Sequence, residues 1–372
     1  MGFLTFIVRN MLGRPARTVL TVLGLGVGIA AVVMLTGISW GFERSMTAAY
    51  TSRGIDLVVV RAGVSDQLSS NLDETLGETI RGVPGVESVA PSLMDAVSFE
   101  EANLASVLAS GWEPGGLLIR GLRLIDGRAL APGDSRSVML GRILALNLGK
   151  KVGDTASIAG EPFRVVGIYE SDSLFETGGL VVPLAELQRM MGRKGVVTGF
   201  VVVARPGVDV KALGKAIESR IAGVAAMPAH DYVQANVQIG LARAMAGATI
   251  GVALVLGSIG LLNTMAMAVF ERTGEIGLLR ALGWRRWRII LLLMGEATAL
   301  GLLGVVAGSC LAVVGMRLLL LTPTARGFIA ADIPPAAFAI GLAMGACLGV
   351  LGGLYPAWRA SRLEPTEALR HE

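Results

Sequence analysis

Residues 271–288 combine charged and leucine side chains in a pattern typical of a surface that binds another protein. These eighteen residues contain five arginines and two glutamates, and long apolar runs precede and follow them. Helical spacing beyond Gly274 brings four apolar side chains onto one arc beside Arg280: Ile276, Leu278, Leu279 and Leu282. A short helix with an apolar face and a charged border fits a groove on a protein partner.

Lipid headgroups are the alternative partner for this segment. An amphipathic turn would then only anchor the chain at the membrane surface. Trp284, Trp287 and the arginines around them favour this role for 284–288, because tryptophan and arginine are both typical of the membrane interface. We therefore expect residues 271–282 to contact a protein and residues 284–288 to lie at the membrane interface.

The elements that position this segment are expected to cross a membrane. Of the 372 residues, 53% are hydrophobic and only 17% are charged, whereas soluble domains carry roughly 25% charged residues. Apolar runs long enough to span a bilayer, about 20 residues, occur at four places: Thr18–Ile38, Ala244–Phe270, Ile289–Met316 and Ala336–Tyr355.

Arginine clusters predict the orientation of these spans. They lie before the first span, between the second and third, and after the fourth, so the positive-inside rule places both termini and the 271–288 loop in the cytoplasm. A cleaved signal peptide is the alternative for the first span, although that apolar run is longer than the roughly 7–15 residues of a signal sequence. Residues 2–12 predict either an interfacial amphipathic helix or an extension of the first span.

The expected fold is therefore an integral membrane α-helical protein with four transmembrane helices. A large mixed α/β (α+β) extracytoplasmic domain lies between the first and second spans. The predicted bounds in chain order are a cytoplasmic amphipathic segment 1–17, helix 18–40, external domain 41–241, helix 242–270, cytoplasmic loop 271–288, helix 289–316, short external loop 317–335, helix 336–356 and cytoplasmic tail 357–372.

Local patterns in the external segment predict strands, turns and short helices. Residues 137–154 suggest a strand end, a helix and a turn, residues 155–170 a hairpin about "AGEP", and residues 199–223 a strand followed by an amphipathic helix. Neither a GxSxG nor an HExxH motif occurs. We therefore expect no catalytic residue, no metal site and no cofactor in this chain. The net charge of +4 suggests membrane topology rather than nucleic-acid binding.

Glycines spaced four residues apart predict close helix packing in the fourth span: Gly341, Gly345, Gly349 and Gly353. A different hypothesis concerns two intramembrane polar residues. Asn263 and Glu296 lie at similar depths, about 10–12 Å from the cytoplasmic ends of their spans at 1.5 Å per residue. We expect Glu296 to face the helix bundle and to bond near Asn263; the alternative is that Glu296 snorkels to the interface.

Several motifs resemble those of the MacB/FtsX-type (type VII) ABC transporter permeases. They are "GSIGLLNTMAMAVFERTGEIGLLRALGWRRWRII" (257–290), "YPAWRASRLEPTEALRHE" (355–372), "GLRLIDGRAL" (121–130), "VMLGRILALNLGKKVGD" (138–154) and "FRVVGIYE" (163–170). They occur in the family's order and extend over most of the chain.

This resemblance implies a bacterial cytoplasmic (inner) membrane protein that works as a homodimer, or as a heterodimer with a related permease. It also implies two cytoplasmic ABC ATPase subunits, which bind ATP and Mg²⁺, and in some cases a periplasmic adaptor. The chain contains no GxxxxGK[ST] motif, so the ATPase is expected to be a separate subunit.

The resemblance assigns the cytoplasmic loop to a coupling helix that docks on the ATPase. The residues that match are Glu271, Arg272, Glu275, Ile276, Leu279 and Arg280. It also implies two external subdomains, one discontinuous over about 50–95 and 197–235 and one inserted at about 96–196. ATP-driven closure of the dimer would then move the external domains, which is mechanotransmission.

The sequence is compatible with three functions. The first is a permease subunit that exports or extracts a hydrophobic or amphipathic cargo, such as a lipid, lipoprotein, peptide or antibiotic. The second is an FtsX-like transmitter that regulates an external cell-wall hydrolase. The third is a receptor or adhesin without an ATPase. The size of the external segment favours the first.

Overall fold

The chain forms two compact units in the computed structural model, which describes residue 10 and residues 13–64, 67–99, 104–322 and 333–362. The helical unit comprises the described residues of 1–39, 243–319 and 331–372. The α/β unit comprises those of 40–242 and 320–330. The predicted external domain, 41–241, differs from the main segment of the α/β unit by one residue at each end.

Helices account for most of the helical unit and cover parts of the α/β unit. In the described residues they are α1 (Pro15–Thr51), α2 (Leu76–Arg81), α3 (Leu117–Arg120), α4 (Arg142–Leu148), α5 (Leu174–Thr177), α6 (Leu184–Met190), α7 (Val210–Arg220), α8 (Ala229–Ala235), α9 (Val237–Glu271), α10 (Thr273–Ala281), α11 (Arg286–Leu319) and α12 (Pro335–Ser361).

Four of these helices, α1, α9, α11 and α12, are long and apolar enough to cross a membrane, as predicted. Their bounds differ from the predicted ones because a helix does not end where its apolar run ends. The first continues eleven residues beyond residue 40, and the second begins five residues before residue 242. Proline at the first position favours the start of α1 and of α12, because that position needs no backbone N–H.

Some predicted segments lie largely or partly outside the described residues. They are the amphipathic segment 1–17, the loop 317–335 and the tail 357–372. Within the last of these, α12 continues to Ser361.

Twelve strands occur in the described part of the chain, all in the α/β unit. They are β1 (Leu57–Arg61), β2 (Leu72–Asp73), β3 (Val86–Phe99), β4 (Leu104–Trp112), β5 (Arg123–Gly127), β6 (Ser137–Gly141), β7 (Thr155–Ile158), β8 (Glu161–Glu170), β9 (Leu180–Pro183), β10 (Val196–Val197), β11 (Gly199–Ala204) and β12 (Val224–Pro228).

Ten of the strands form one mixed sheet in the order β12-β1-β11-β3-β4-β9-β6-β8-β5, with β7 paired to β8. The pairs β4–β9 and β6–β8 are parallel, and the other pairs in this sheet are antiparallel. Strands β2 and β10 form a separate antiparallel pair.

Both faces of the sheet are buried against apolar side chains. Leu57 and Val59 of β1 belong to one core, whereas Val58 and Val60 belong to the other, because successive side chains of a strand point to opposite faces. Helix α7 packs on the first core through Leu213 and Ile217. The C-terminal part of α1 and helix α8 pack on the second.

The two predicted subdomains are the two halves of this one sheet. Strands β12, β1, β11 and most of β3 come from 50–95 and 197–235, and the remaining strands come from 96–196. The predicted boundary at residue 95 falls inside β3, which continues to Phe99. Both halves of the sheet belong to the one α/β unit.

Local structure confirms the short-range predictions in this unit. Helix α4 ends at Gly149, whose φ of +64° is the left-handed conformation that favours glycine after a helix. Strands β7 and β8 form the hairpin predicted about "AGEP", with positive φ at both Ala159 and Gly160. Strand β11 and helix α7 lie within the predicted 199–223 segment, and Asp209 caps α7 by accepting a hydrogen bond from Lys211 N.

Candidate coupling site

The loop between the second and third spans folds into a short separate helix, α10. Arg272, with φ −118° and ψ 18°, interrupts the helical path after Glu271, and α10 begins at Thr273. The helix ends at Ala281, where Gly283 takes a φ of +93° and Trp284 N donates to Leu279 O at 3.1 Å. A glycine in the left-handed region is a common way to end a helix.

Glu271 joins the end of α9 to the start of α1. Its carboxylate forms ion pairs with Arg14 and Arg17, one on each oxygen. The Glu271 side chain is 28% exposed. An isolated exposed pair contributes little to stability, but two arginines on one carboxylate restrict where the beginning of α10 can lie.

Arg272, the residue between α9 and α10, joins the start of α10 to α11. Its Nη1 lies 3.3 Å from Oε2 of Glu296, and its Nη2 donates to the carbonyl oxygen of Asn10 at 3.3 Å. The side chains of Arg272 and Glu296 are only 16% and 7% exposed. A cavity of about 30 Å³ lies among these groups and is also lined by Arg14 and Arg17.

Glu296 is buried, but its partner differs from the one predicted. Arg272 occupies the carboxylate, whereas Asn263 is exposed. Asn263 follows buried Leu261 by two residues and precedes buried Met265 by two, so it lies about 200° around the helix from each. The depth counted from the sequence is similar for Asn263 and Glu296, but the Asn263 side chain points away from the buried side of α9. The hypothesis of an Asn263–Glu296 bond is therefore wrong for this structure.

The exposed residues of α10 coincide only in part with the apolar arc that helical spacing predicts. Ile276 and Gly277 are buried, and Leu279 and Arg280 are partly buried. The solvent-exposed side chains cover an arc of about 120°. We call them the α10 stripe: Gly274, Glu275, Leu278, Ala281 and Leu282.

The predicted coupling residues therefore divide into two groups. Glu271, Arg272 and Ile276 lie against their own unit, as do the partly buried Leu279 and Arg280, whereas Glu275 points outward on the α10 stripe. Leu278 and Leu282, 53% and 71% exposed, are the apolar members of that stripe. Both belong to the apolar arc that helical spacing predicts, although the family resemblance did not include them, and at i+3 and i+7 they share one face with Glu275.

The predicted glycines of α12 lie where a side chain would collide with neighbouring helices. A Cβ atom added at Gly349 would lie 2.7 Å from Thr298 Cα, and one at Gly353 would lie 2.6 Å from Ala297 Cβ. At Gly345 it would meet Val305 and Gly301, and at Gly341 it would lie 2.9 Å from Val33 Cγ2. Helix α12 therefore packs closely on α11 and on the first part of α1.

Family models match two consecutive parts of the chain. Residues 18–220 match the MacB-like periplasmic core domain, and residues 247–365 match the FtsX-like permease C-terminal region. Together with four membrane-spanning helices, these matches define a multi-pass membrane protein with an α/β domain between its first two spans. The chain belongs to the MacB/FtsX-type family of ABC transporter permeases.

Individual relatives are between about a fifth and a third identical to this chain over the aligned residues. The macrolide export ATP-binding/permease protein MacB of Agrobacterium fabrum strain C58 is 28% identical over 386 residues, which cover 96% of this chain and 58% of that protein. The uncharacterized ABC transporter permease YknZ of Bacillus subtilis strain 168 is 23% identical over 393 residues, 98% of this chain and 97% of that protein. The chain thus spans well under two thirds of the MacB relatives.

Two solved structures each match about half of this chain. The periplasmic region of MacB from Actinobacillus actinomycetemcomitans has a TM-score of 0.40 and 19% identity, and covers 50% of this chain and 95% of that one. The extracellular domain of the YknZ transporter from Gram-positive bacteria has a TM-score of 0.38 and 19% identity, and covers 46% and 98%.

Proposed function

We propose that this protein is a permease subunit that couples ATP hydrolysis by a separate cytoplasmic ABC ATPase to movement of its α/β unit. Permeases of this family work with an ABC ATPase partner. The observation that carries the proposal is the α10 stripe, which exposes two leucines beside one carboxylate on a helix fixed at its base by ion pairs. Such a surface suits a groove with a matching charge at its rim.

The ion pairs at Glu271 and Arg272 support the transmission of force from α10. They join its first residues to α1 and α11, so a displacement of α10 would move these helices with it. Helices α1 and α9 both continue into residues of the α/β unit, as far as Thr51 and from Val237. Movement carried along continuous helices would reach that unit without any cargo passing between the spans.

The arginine distribution supports an orientation in which α10 and both termini face the cytoplasm of a bacterial inner membrane. A second permease copy, identical or related, completes the proposed assembly, in which a periplasmic adaptor is a further candidate partner. The proposed task is export or extraction of a hydrophobic or amphipathic cargo. Regulation of an external cell-wall hydrolase is the alternative, since the C-terminal region matches the FtsX-like model.

Purification of the complex tests this proposal directly. The full chain is purified from its own membranes in mild detergent, and the co-purified proteins are identified by mass spectrometry and tested for ATP hydrolysis. We expect an ABC ATPase in the wild-type complex. The amount of ATPase that co-purifies with Leu278→Asp should be lower by about tenfold or more, because a carboxylate at the centre of the interface would be desolvated without a partner. Glu275→Lys tests the charge of the α10 stripe in the same assay.

Leu124→Asp is the matched control, since Leu124 is also an exposed leucine but lies on β5 of the α/β unit. Equal ATPase recovery from Leu278→Asp and Leu124→Asp would exclude the α10 stripe as the docking surface. Absence of any ABC ATPase from the wild-type complex would favour a receptor or adhesin that works without an ATPase. An adaptor in the complex supports export, whereas a peptidoglycan hydrolase supports regulation.

A further inference from the structure

The α/β unit contains a partly open cavity of about 120 Å³ that the coupling mechanism does not use. Its walls are mainly aromatic and aliphatic, from the end of α1, from β3 and β4, and from the segment around α5. The apolar side chains that matter most are Phe42, Met46, Tyr50, Leu108, Trp112 and Phe175. This combination of an apolar wall with a few polar groups is typical of small-molecule sites.

A buried ion pair forms the polar part of the wall. Arg53 donates from Nη1 and Nη2 to the two carboxylate oxygens of Glu176, at 2.8 and 2.7 Å, and the two side chains are only 2% and 7% exposed. The Arg53 guanidinium lies 5.2 Å from the ring centroid of Trp112. Burial alone would lower the pKa of Arg53, but the Glu176 carboxylate raises it overall. The two opposite charges of this ion pair cancel, so this part of the wall has no net charge.

Two hydrogen-bond donors in this wall have no acceptor among the described residues. Arg53 Nε is buried without a partner. Ser92, which is also buried, accepts a hydrogen bond from Trp112 Nε1 at 3.1 Å through its hydroxyl oxygen, and no acceptor in the described chain takes its own hydroxyl hydrogen. A buried donor without an acceptor costs about 1–3 kcal/mol, so both positions favour a ligand that brings an acceptor oxygen.

We propose that this cavity binds an uncharged molecule, or the end of a larger one, that carries an aromatic or branched apolar group and a carbonyl oxygen. The volume suits a group near the size of benzene, which fills a cavity of about 150 Å³. The carbonyl oxygen accepts from Ser92 or Arg53. A neutral group is favoured because a carboxylate would lie near Glu176 and a cation near Arg53.

The site goes beyond the proposed coupling function, since none of its residues lies in α10 or among the ion-paired residues at the start of α10. Binding here is a property of the α/β unit and does not require an ATPase. The residues that close the cavity come from α1 and from the sheet together, so a bound molecule would hold the first residues of this unit against β3 and β4.

Benzamide is a suitable probe because it combines a phenyl ring with a neutral carbonyl group. Benzamidinium has the same shape but carries a positive charge and has no acceptor. The full chain is produced with 5-fluorotryptophan and purified in detergent. The ¹⁹F signal of Trp112 is the one that is missing from the spectrum of Trp112→Phe. We expect benzamide to shift this ¹⁹F signal saturably and benzamidinium to bind about tenfold more weakly or worse.

Variants of two adjacent alanines separate binding in the cavity from general effects on α1. Ala49 lines the cavity, whereas its neighbour Ala48 does not. Ala49→Leu should fill part of the space and weaken benzamide binding at least about tenfold, while Ala48→Leu should leave it unchanged. Ser92→Ala and Arg53→Lys each remove one open donor and should reduce the preference for benzamide over benzamidinium.

Three results would overturn the proposal. They are a Trp112 signal that benzamide does not shift, equal affinities of Ala48→Leu and Ala49→Leu, and equal affinities for benzamide and benzamidinium. Should Arg53→Lys fail to fold, the two alanine variants and Ser92→Ala still decide the question. An ATPase missing from the complex would affect only the coupling function and would leave this test unchanged.

Discussion

Arg272 has two roles that a single side chain and its backbone fulfil together. Its backbone separates α9 from α10, and its guanidinium neutralises Glu296 on α11. A buried carboxylate in a membrane-spanning helix is costly unless it is paired. The pairing therefore explains how Glu296 is accommodated in the N-terminal part of α11, and it fixes α10 to the helix that follows it.

Removal of Arg272 should destabilise the helical unit more than removal of both partners. In Arg272→Met the buried Glu296 carboxylate loses its ion-pair partner, and breaking a buried pair in this way costs about 3–5 kcal/mol. We expect a lower midpoint of thermal unfolding in detergent, and recovery of most of the loss in the double variant Arg272→Met with Glu296→Gln. Arg285→Met, an exposed arginine of the same loop, is the control and should have little effect. A double variant less stable than Arg272→Met would contradict the pairing.

At the scale of elements, the glycines of α12 show how small residues determine helix packing. Gly349 faces the backbone of Thr298, whereas Gly251 of α9 has no atom of a described residue within 4 Å of an added Cβ. Both glycines lie inside long helices. Because only Gly349 is in close contact with a neighbouring helix, we expect the same substitution to have opposite consequences at the two positions.

Gly349→Ala should separate α12 from α11 and destabilise the protein by about 1–3 kcal/mol, the usual cost of overpacking. Gly251→Ala should be neutral or stabilising by up to about 1 kcal/mol, because alanine favours helix more than glycine does. The thermal unfolding midpoints of the two variants, measured in the same detergent, check this. Similar midpoints for both would show that α12 does not depend on close packing at Gly349.

The sequence predicts these elements well where the signal is local. Long apolar runs identify the four spans, and Gly149 and the "AGEP" turn predict local structure, because each depends only on neighbouring residues. The ends of α1 and α9 could not be predicted, since their extensions beyond the apolar run carry no hydropathy signal. Nor could the partner of Glu296, because depth along a helix can be counted from the sequence while the neighbour across a loop is decided by packing.

At the scale of the whole molecule, one sheet joins segments that are far apart in sequence. Strand β1 pairs with β11 and β12, more than 130 residues later, and β3 leads directly into the other half of the sheet through β4. Strand patterns predict that such segments are extended, but they do not predict which ones pair. This is why the family's two subdomains suggested a division that β3 crosses.

Topology gives the last prediction, because four spans place the α/β unit on one side of the membrane and α10 on the other. The positive-inside rule predicts that α10 faces the cytoplasm. After Cys310 and Cys347 are replaced by serine, single cysteines are introduced as Ser135→Cys in the α/β unit and Ala281→Cys in α10, both exposed positions. In right-side-out vesicles a membrane-impermeant maleimide should label only Ser135→Cys, and in inverted vesicles only Ala281→Cys. Labelling of both cysteines from the same side would contradict four spans, and the reverse pattern would contradict the arginine argument and place the α10 stripe out of reach of a cytoplasmic ATPase.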